Sequence, residues 1–430
     1  MECPLLKKWF LVLLIAVGFP LAAQRTEAIA LTNPILFVGQ VPIPGDFTTV
    51  ASTFGNHDGH QSSAPRGGDL FIVYPSGALK NITRTAGFGN TGFQGTNSIA
   101  VREPSVHWSG TKALFSMVVG APTQQFQNNL TFFWQIYEVT NLGENQTPVV
   151  TKVPNQPSSF NNISPLYGTD GRILFTSDRP RNGAPHLYPQ LDEYEEAPTV
   201  TGIWSLNPVN GDLRLLNHAP SGAFSPIIDS FGRVIFTRWD HLQRDQQADA
   251  DAEDPGSYGT FDFSDESAAA LKLNQRVEVF PEPRAGNTPP GSNLVGNNIN
   301  HFFPWMMNED GTSEETLNHI GRHELHNFFA RVFNDDPFVT EFIYFNGVRF
   351  NTKEADNTFQ LREDPLNPGL YYGTDAVEFD SHASGQLVSF FAPPSQHADT
   401  IQVNWITPRS TKFFNNPPAP ADHSGHYRDP

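Results

Sequence analysis

The chain has 430 residues; 38% are hydrophobic, 12% aromatic and only 17% charged, with 34 Gly and 36 Pro. This balance excludes a disordered chain or a helical bundle and points to an all-β protein rich in turns. The formal charge of -18, with 27 scattered Lys and Arg, argues against nucleic acid as a partner, because phosphate binding needs a cationic surface.

The N-terminal stretch "MECPLLKKWFLVLLIAVGFPLAAQ" has the form of a secretory signal over residues 1–23. A cationic region ends at Lys8, an apolar run follows, and Ala22 and Ala23 supply the small residues before cleavage. The run is shorter than the roughly 20 residues that span a bilayer, and Pro20 interrupts it. The expectation is a secreted or periplasmic protein with no membrane span in the mature chain. Cys3, the only cysteine, leaves with the signal, so the mature chain has no disulfide, zinc–thiolate site or covalent c-type haem.

Two families of segments then alternate along residues 30–408. The first comprises "SVHWSGTKALFSMVV" (105–119), "SPLYGTDGRILFTSDRP" (164–180) and "SPIIDSFGRVIFTRWDH" (225–241). Their anchoring phenylalanines, Phe115, Phe175 and Phe236, recur about every sixty residues. The second family comprises "LFIVYPSGALKNIT", "IYEVTNLG", "IWSLNPVNGDLRLLNH" and "FPWMMNEDGTSEETLNH". In its last two members, Trp204, Asn207, Asn217 and His218 match Trp305, Asn308, Asn318 and His319. Each segment reads as strand, turn, strand. Two hairpins per unit make the four antiparallel strands of one β-propeller blade, which must stack on neighbours to bury its faces. About five blade-starting strands are visible, near Ile72, Tyr137, Trp204, Trp305 and Val388. The expected fold is therefore all-β, a propeller of the six-bladed type, incomplete at the C-terminus. Inserted loops are expected at 186–200, 242–300 and 322–380. Residues 409–430 are expected as a tail or the start of a truncated blade.

Candidate site residues cluster after the strands. Arg238, Asp240, His241 and Arg244 follow an apolar strand, and an Asp–His pair can orient a proton-transfer group. An ion-paired corner is the simpler reading of the same residues; Arg179, beside Asp178 at a strand end, is a further binding candidate whose simpler reading is a turn that closes a hairpin. Asp249, Asp251 and Glu253 alternate as hard calcium ligands do, but the EF-hand pattern fails because Asp254 stands where its glycine is required. "NHIGRHELH" holds three histidines, yet His323 and His326 are not at the metalloprotease spacing, and Gly321 weakens a helix there. His319 reads as blade framework. Serine-nucleophile, Walker A and Rossmann patterns are missing.

Four strings, "APRGGDL", "PRNGAPHLYPQLDEYEEAPTVTG", "FGRVIFTRWDHLQRDQQAD" and "NHFFPWMMNEDGT", make the chain similar to bacterial proteins carrying the middle domain of the hydrazine synthase alpha subunit. More broadly, the Ser-Pro…Gly-Arg…Phe-Thr hairpins resemble the TolB-type propeller family. The resemblance implies a secreted or periplasmic six-bladed propeller acting within a larger assembly. The preferred reading is a binding or scaffold module, more binder than enzyme, with a protein partner or small ligand on rim loops and no predicted cofactor. One alternative is a redox subunit holding non-covalent haem or a metal through His241, His301 and His323. A weaker one is a glycan hydrolase using Asp192, Glu193, Glu195 and Glu196.

Overall fold

In the computed structural model, residues 31–40, 68–89, 99–120, 133–179, 202–217, 223–240, 260–261, 272–273, 301–319, 353–377, 383–412 and 420–430 are described. The expected signal sequence and most of the expected inserted loops lie outside them. Among the described residues no helix is long and apolar enough to cross a membrane.

Five antiparallel sheets follow one another along the chain. The first has three strands, β1 (Ile35–Gln40), β2 (Gly68–Val73) and β3 (Leu79–Asn81), the last running into a single turn of helix α1 (Ile82–Thr85). The second has β4 (Ile99–Val106), β5 (Lys112–Val119), β6 (Gln135–Thr140) and β7 (Val149–Lys152). The third has β8 (Asn162–Tyr167), β9 (Ile173–Ser177), β10 (Gly202–Leu206) and β11 (Leu213–Leu215). The fourth starts with β12 (Ala223–Ile228) and β13 (Val234–Asp240). After a small separate hairpin of β14 (Thr260–Phe261) and β15 (Lys272–Leu273), it is completed by β16 (His301–Met307) and β17 (Glu315–Thr316). The fifth is β18 (Phe359–Glu363), β19 (Leu370–Asp375), β20 (Gln386–Phe391) and β21 (Asn404–Trp405).

Each inner strand, β4, β8, β12 and β18, packs on strands of the sheet before it, so the sheets stack as blades of a propeller. Five blades are present among the described residues where six were expected. After β21 the chain turns through a 3-10 segment, Arg409–Lys412, and Tyr427 bridges back to Gly385 beside β20. The expected loop over 322–380 is also corrected: its second half supplies β18 and β19, the first two strands of the fifth blade. The tryptophan-led strands are not blade starts either. Each is the third strand of its blade, because the Ser-Pro segment of the same blade supplies the two strands inside it. By the same register β1 corresponds to the second strand of the other blades: it pairs with β2 as β5 pairs with β6 and, like β5 on β8, it packs on the next inner strand.

The two sequence landmarks meet across the sheets. Phe115 pairs with Tyr137, Phe175 with Trp204 and Phe236 with Trp305, each on neighbouring second and third strands. Tyr371 and Phe390 make the same pair in the fifth blade, stacked at 5.7 Å. All eight rings are buried, each burial stabilising the fold by about 3 kcal/mol. The Gly-Arg motif has a distinct role. Gly171 and Gly232 close their turns at φ 83 and 80, a region open to glycine without steric cost. The following arginines then reach across strands. Arg172 donates to Ser205 and Asp212 in its own blade. Arg233 donates to Asp229 and Asn318 in its own blade, and to the Tyr371 hydroxyl and Ala392 carbonyl of the next. The matched asparagines also find roles: Asn217 Oδ1 accepts from the Ile203 N–H, and Asn318 Nδ2 donates to the Pro393 carbonyl of the fifth blade.

Candidate functional site

Every complete inner strand is broken at one point. The pairing register slips between Arg102 and Ser105, Ile163 and Leu166, Phe224 and Ile227, and Phe359 and Arg362. At each slip one residue that is not glycine takes a left-handed conformation: Glu103 (φ 53), Ser164 (φ 49), Ser225 (φ 54) and Gln360 (φ 50). These are β-bulges, which aim side chains away from the regular pleat. In three of them the next residue is Pro104, Pro165 or Pro226; proline has no N–H to offer a ladder, and a bulge is where a strand tolerates it. The Ser-Pro repeat of the sequence is thus a bulge signature.

The first three bulges, with Arg362 from the end of the fourth, line a cavity of about 400 Å³ between the inner strands, within the range of small-molecule sites. Glu103 is tied down on both oxygens: Oε1 accepts from Arg102 at 2.8 Å and Oε2 from the Ser164 main-chain N–H at 2.6 Å. Arg102 is itself buried and lies over the Trp134 ring. The Ser164 hydroxyl, by contrast, is buried with no hydrogen-bond partner among the described residues. From the fifth blade come Arg362, whose NH1 donates to the carbonyl of Leu361, and, from the C-terminal segment, Asp429, whose carboxylate accepts from Arg428. The Asp429 N–H reaches Gln360 Oε1 at 3.4 Å.

Aromatic residues flank the cavity on the second and third blades. Trp108, 67% exposed, stands on the β4–β5 turn and stacks on His107 at 3.9 Å. Tyr167 meets the His107 ring edge-on at 4.7 Å and carries the Lys112 ammonium over its own face. Desolvation, then the Lys112 charge, hold the His107 pKa below its ordinary value. Burial, together with the Glu138 carboxylate that accepts its hydroxyl at 3.0 Å, pushes Tyr167 far up, so the phenol stays protonated. The walls therefore suit binding: Glu103 is committed to its partners and Tyr167 to its proton.

The residues singled out from the sequence lie elsewhere. Arg238 is buried in β13, 4.3 Å from the Trp305 ring centroid and 3.3 Å from Glu314. Arg179 lies over Trp204 at 4.7 Å, and its neighbour Asp178 accepts twice from Asn161. Both arginines cover blade tryptophans. The Asp240 and His301 backbones pair across β13 and β16. His241, Arg244, Asp249, Asp251, Glu253 and His323 lie outside the described residues, as do the acidic residues at 192–196. Among the described residues no group of three His, Cys, Asp or Glu side chains is placed to hold a metal. Sequence reasoning missed Glu103, Ser164, Trp108 and Arg362; the Glu-Pro and Ser-Pro pairs at matching repeat positions were the signal for the first two.

No family model and no curated protein matches the chain. Solved structures do. Kuenenia stuttgartiensis hydrazine synthase is 12% identical, matching 90% of this chain and 45% of that one, with a TM-score of 0.39. TolB from Acinetobacter baumannii is 12% identical over 79% of this chain and 48% of that one, with a TM-score of 0.34. A TolB from Agrobacterium tumefaciens is 13% identical over 66% and 88%, with a TM-score of 0.23. The chain spans less than half the length of the first two. These are the two groups its hairpin motifs resemble, and the fold itself, read from its sheets, is a β-propeller with five blades among the described residues.

Proposed function

We propose that this chain is a propeller binding module that takes a small ligand in the cavity between its inner strands. The observation that carries this is one cavity lined by three successive bulges, each with a left-handed residue that is not glycine, and by Arg362 at the end of a fourth. Strained backbone of this kind costs about 1 kcal/mol or more at each position and persists where function or surrounding structure requires it. The module is secreted or periplasmic, as the signal-like N-terminus suggests, and its rim loops at 186–200 and 242–300 serve a protein partner. Ligand-observed NMR with a panel of neutral, cationic and anionic ring fragments tests the cavity. Wild-type protein is expected to engage some of them, and a Ser105→Trp variant, which fills the cavity, to lose them while keeping its circular dichroism. Equal engagement by both proteins, or none by either, would remove the site.

A further inference from the structure

Resting on the reading of the cavity as a binding site, we infer that its ligand is a small carboxylate with a flat or ring-shaped body. The charges decide the polarity. Three charged side chains line the space, two carboxylates and one guanidinium, and each carboxylate already has an arginine partner: Arg102 for Glu103, and Arg428 for Asp429. Arg362 is different. Among the described residues its one hydrogen bond runs from NH1 to the Leu361 carbonyl, and no carboxylate lies within ion-pair distance of it. The remaining guanidinium donors form a fork that matches a carboxylate in geometry as well as charge.

The rest of the wall describes the body of the ligand. Ile227 and Ile228 contribute apolar surface, and Trp108 a broad ring face. His107 lies against one face of the indole and Tyr167 meets the ring edge-on, while the residue as a whole stays largely exposed, so stacking a ligand on the other face requires little new ordering. Ser164 is 5% exposed and its hydroxyl has no partner among the described residues, a buried polar group that a ligand hydroxyl or carbonyl would satisfy. An aromatic acid and a uronic acid both meet these demands, since each joins a carboxylate to a ring that can stack.

Calorimetric titration of the full chain distinguishes the sources and tests the claim, with phenylacetate against phenylacetamide and galacturonate against methyl galactoside. In at least one pair the acid is expected to bind about tenfold or more tighter than its neutral counterpart. Arg362→Gln is expected to erase that preference, Arg362→Lys to keep part of it, and Ser164→Ala to weaken the acid without changing the fold. Should Arg362→Gln fail to fold, the acid–neutral comparison on wild type still decides. Equal binding of acid and neutral compounds, or an acid preference that survives Arg362→Gln, would overturn the carboxylate assignment and leave the cavity a binding site. Failure of all four compounds to bind would also overturn it, and the Ser105→Trp fragment comparison would then judge the cavity separately.

Discussion

Glu103 and Ser164 occupy the same bulge position on consecutive inner strands, and the carboxylate of one accepts the main-chain N–H of the other at 2.6 Å. A charge-assisted bond thereby fixes the spacing of two blades at the cavity wall. Glu103→Gln keeps the shape but removes the charge facing the buried Arg102 guanidinium. The expected loss is about 2 kcal/mol, measured as a lower urea midpoint. A change within about 0.5 kcal/mol would show that the bond does not hold the blades.

The bulges themselves are testable through backbone preference. Ser225 sits at φ 54, where a β-branched residue is strongly disfavoured and glycine is at ease. Ser225→Val is expected to cost about 2 kcal/mol or more, whereas Ser225→Gly should stay within about 1 kcal/mol of wild type in the same denaturation assay. Equal costs for both would mean that side-chain packing, not backbone conformation, sets this position.

Arg233 and Arg172 share one motif position but not one role. Arg233 joins two blades through Asp229, Asn318, Tyr371 and Ala392, while Arg172 stays within its own blade. Lysine cannot reproduce the planar fork at either site. Arg233→Lys should therefore cost about 3 kcal/mol and Arg172→Lys about half of that in chemical denaturation. The reverse order would argue against Arg233 as a link between blades.

Asp375 is wholly buried beside Arg409 and Gln386, and burial pushes its pKa up to about 7 although Arg409 pulls the other way. The folded state thus holds a proton that the unfolded chain has released above about pH 4. Unfolded protein binds fewer protons across that window, so this group's contribution to stability falls as pH rises from about 4 to about 7. The urea stability of wild type relative to Asp375→Asn should drop by about 2–4 kcal/mol between those limits. A flat or rising difference would contradict the assignment. Lys412 close by, lowered to about 8 by its own burial, acts above that window.

Blade identity was legible wherever a local pattern repeats. Phe175 and Trp204 recur because each blade needs an aromatic pair between its second and third strands, and strand alternation makes such pairs visible. The fifth blade was half hidden because its inner strand replaces Ser-Pro with Gln360-Leu361 and its next strand lacks the Gly-Arg turn. Of the cavity, only the Glu-Pro and Ser-Pro pairs left a trace in the sequence. Arg362 and Trp108 are far apart in the chain, and only radial stacking of the blades brings both to one wall. Arg238 misled for a related reason: a cation after an apolar strand looks functional until the tryptophan beneath it is known.

Hydrogen–deuterium exchange over the whole chain, with and without saturating phenylacetate or galacturonate, tests the central claim most directly. The account predicts that ligand slows exchange at residues 103–106, 164–167 and 225–228, the bulged segments that line the cavity. Slowing confined to 186–200 and 242–300, or none anywhere in the chain, would contradict it.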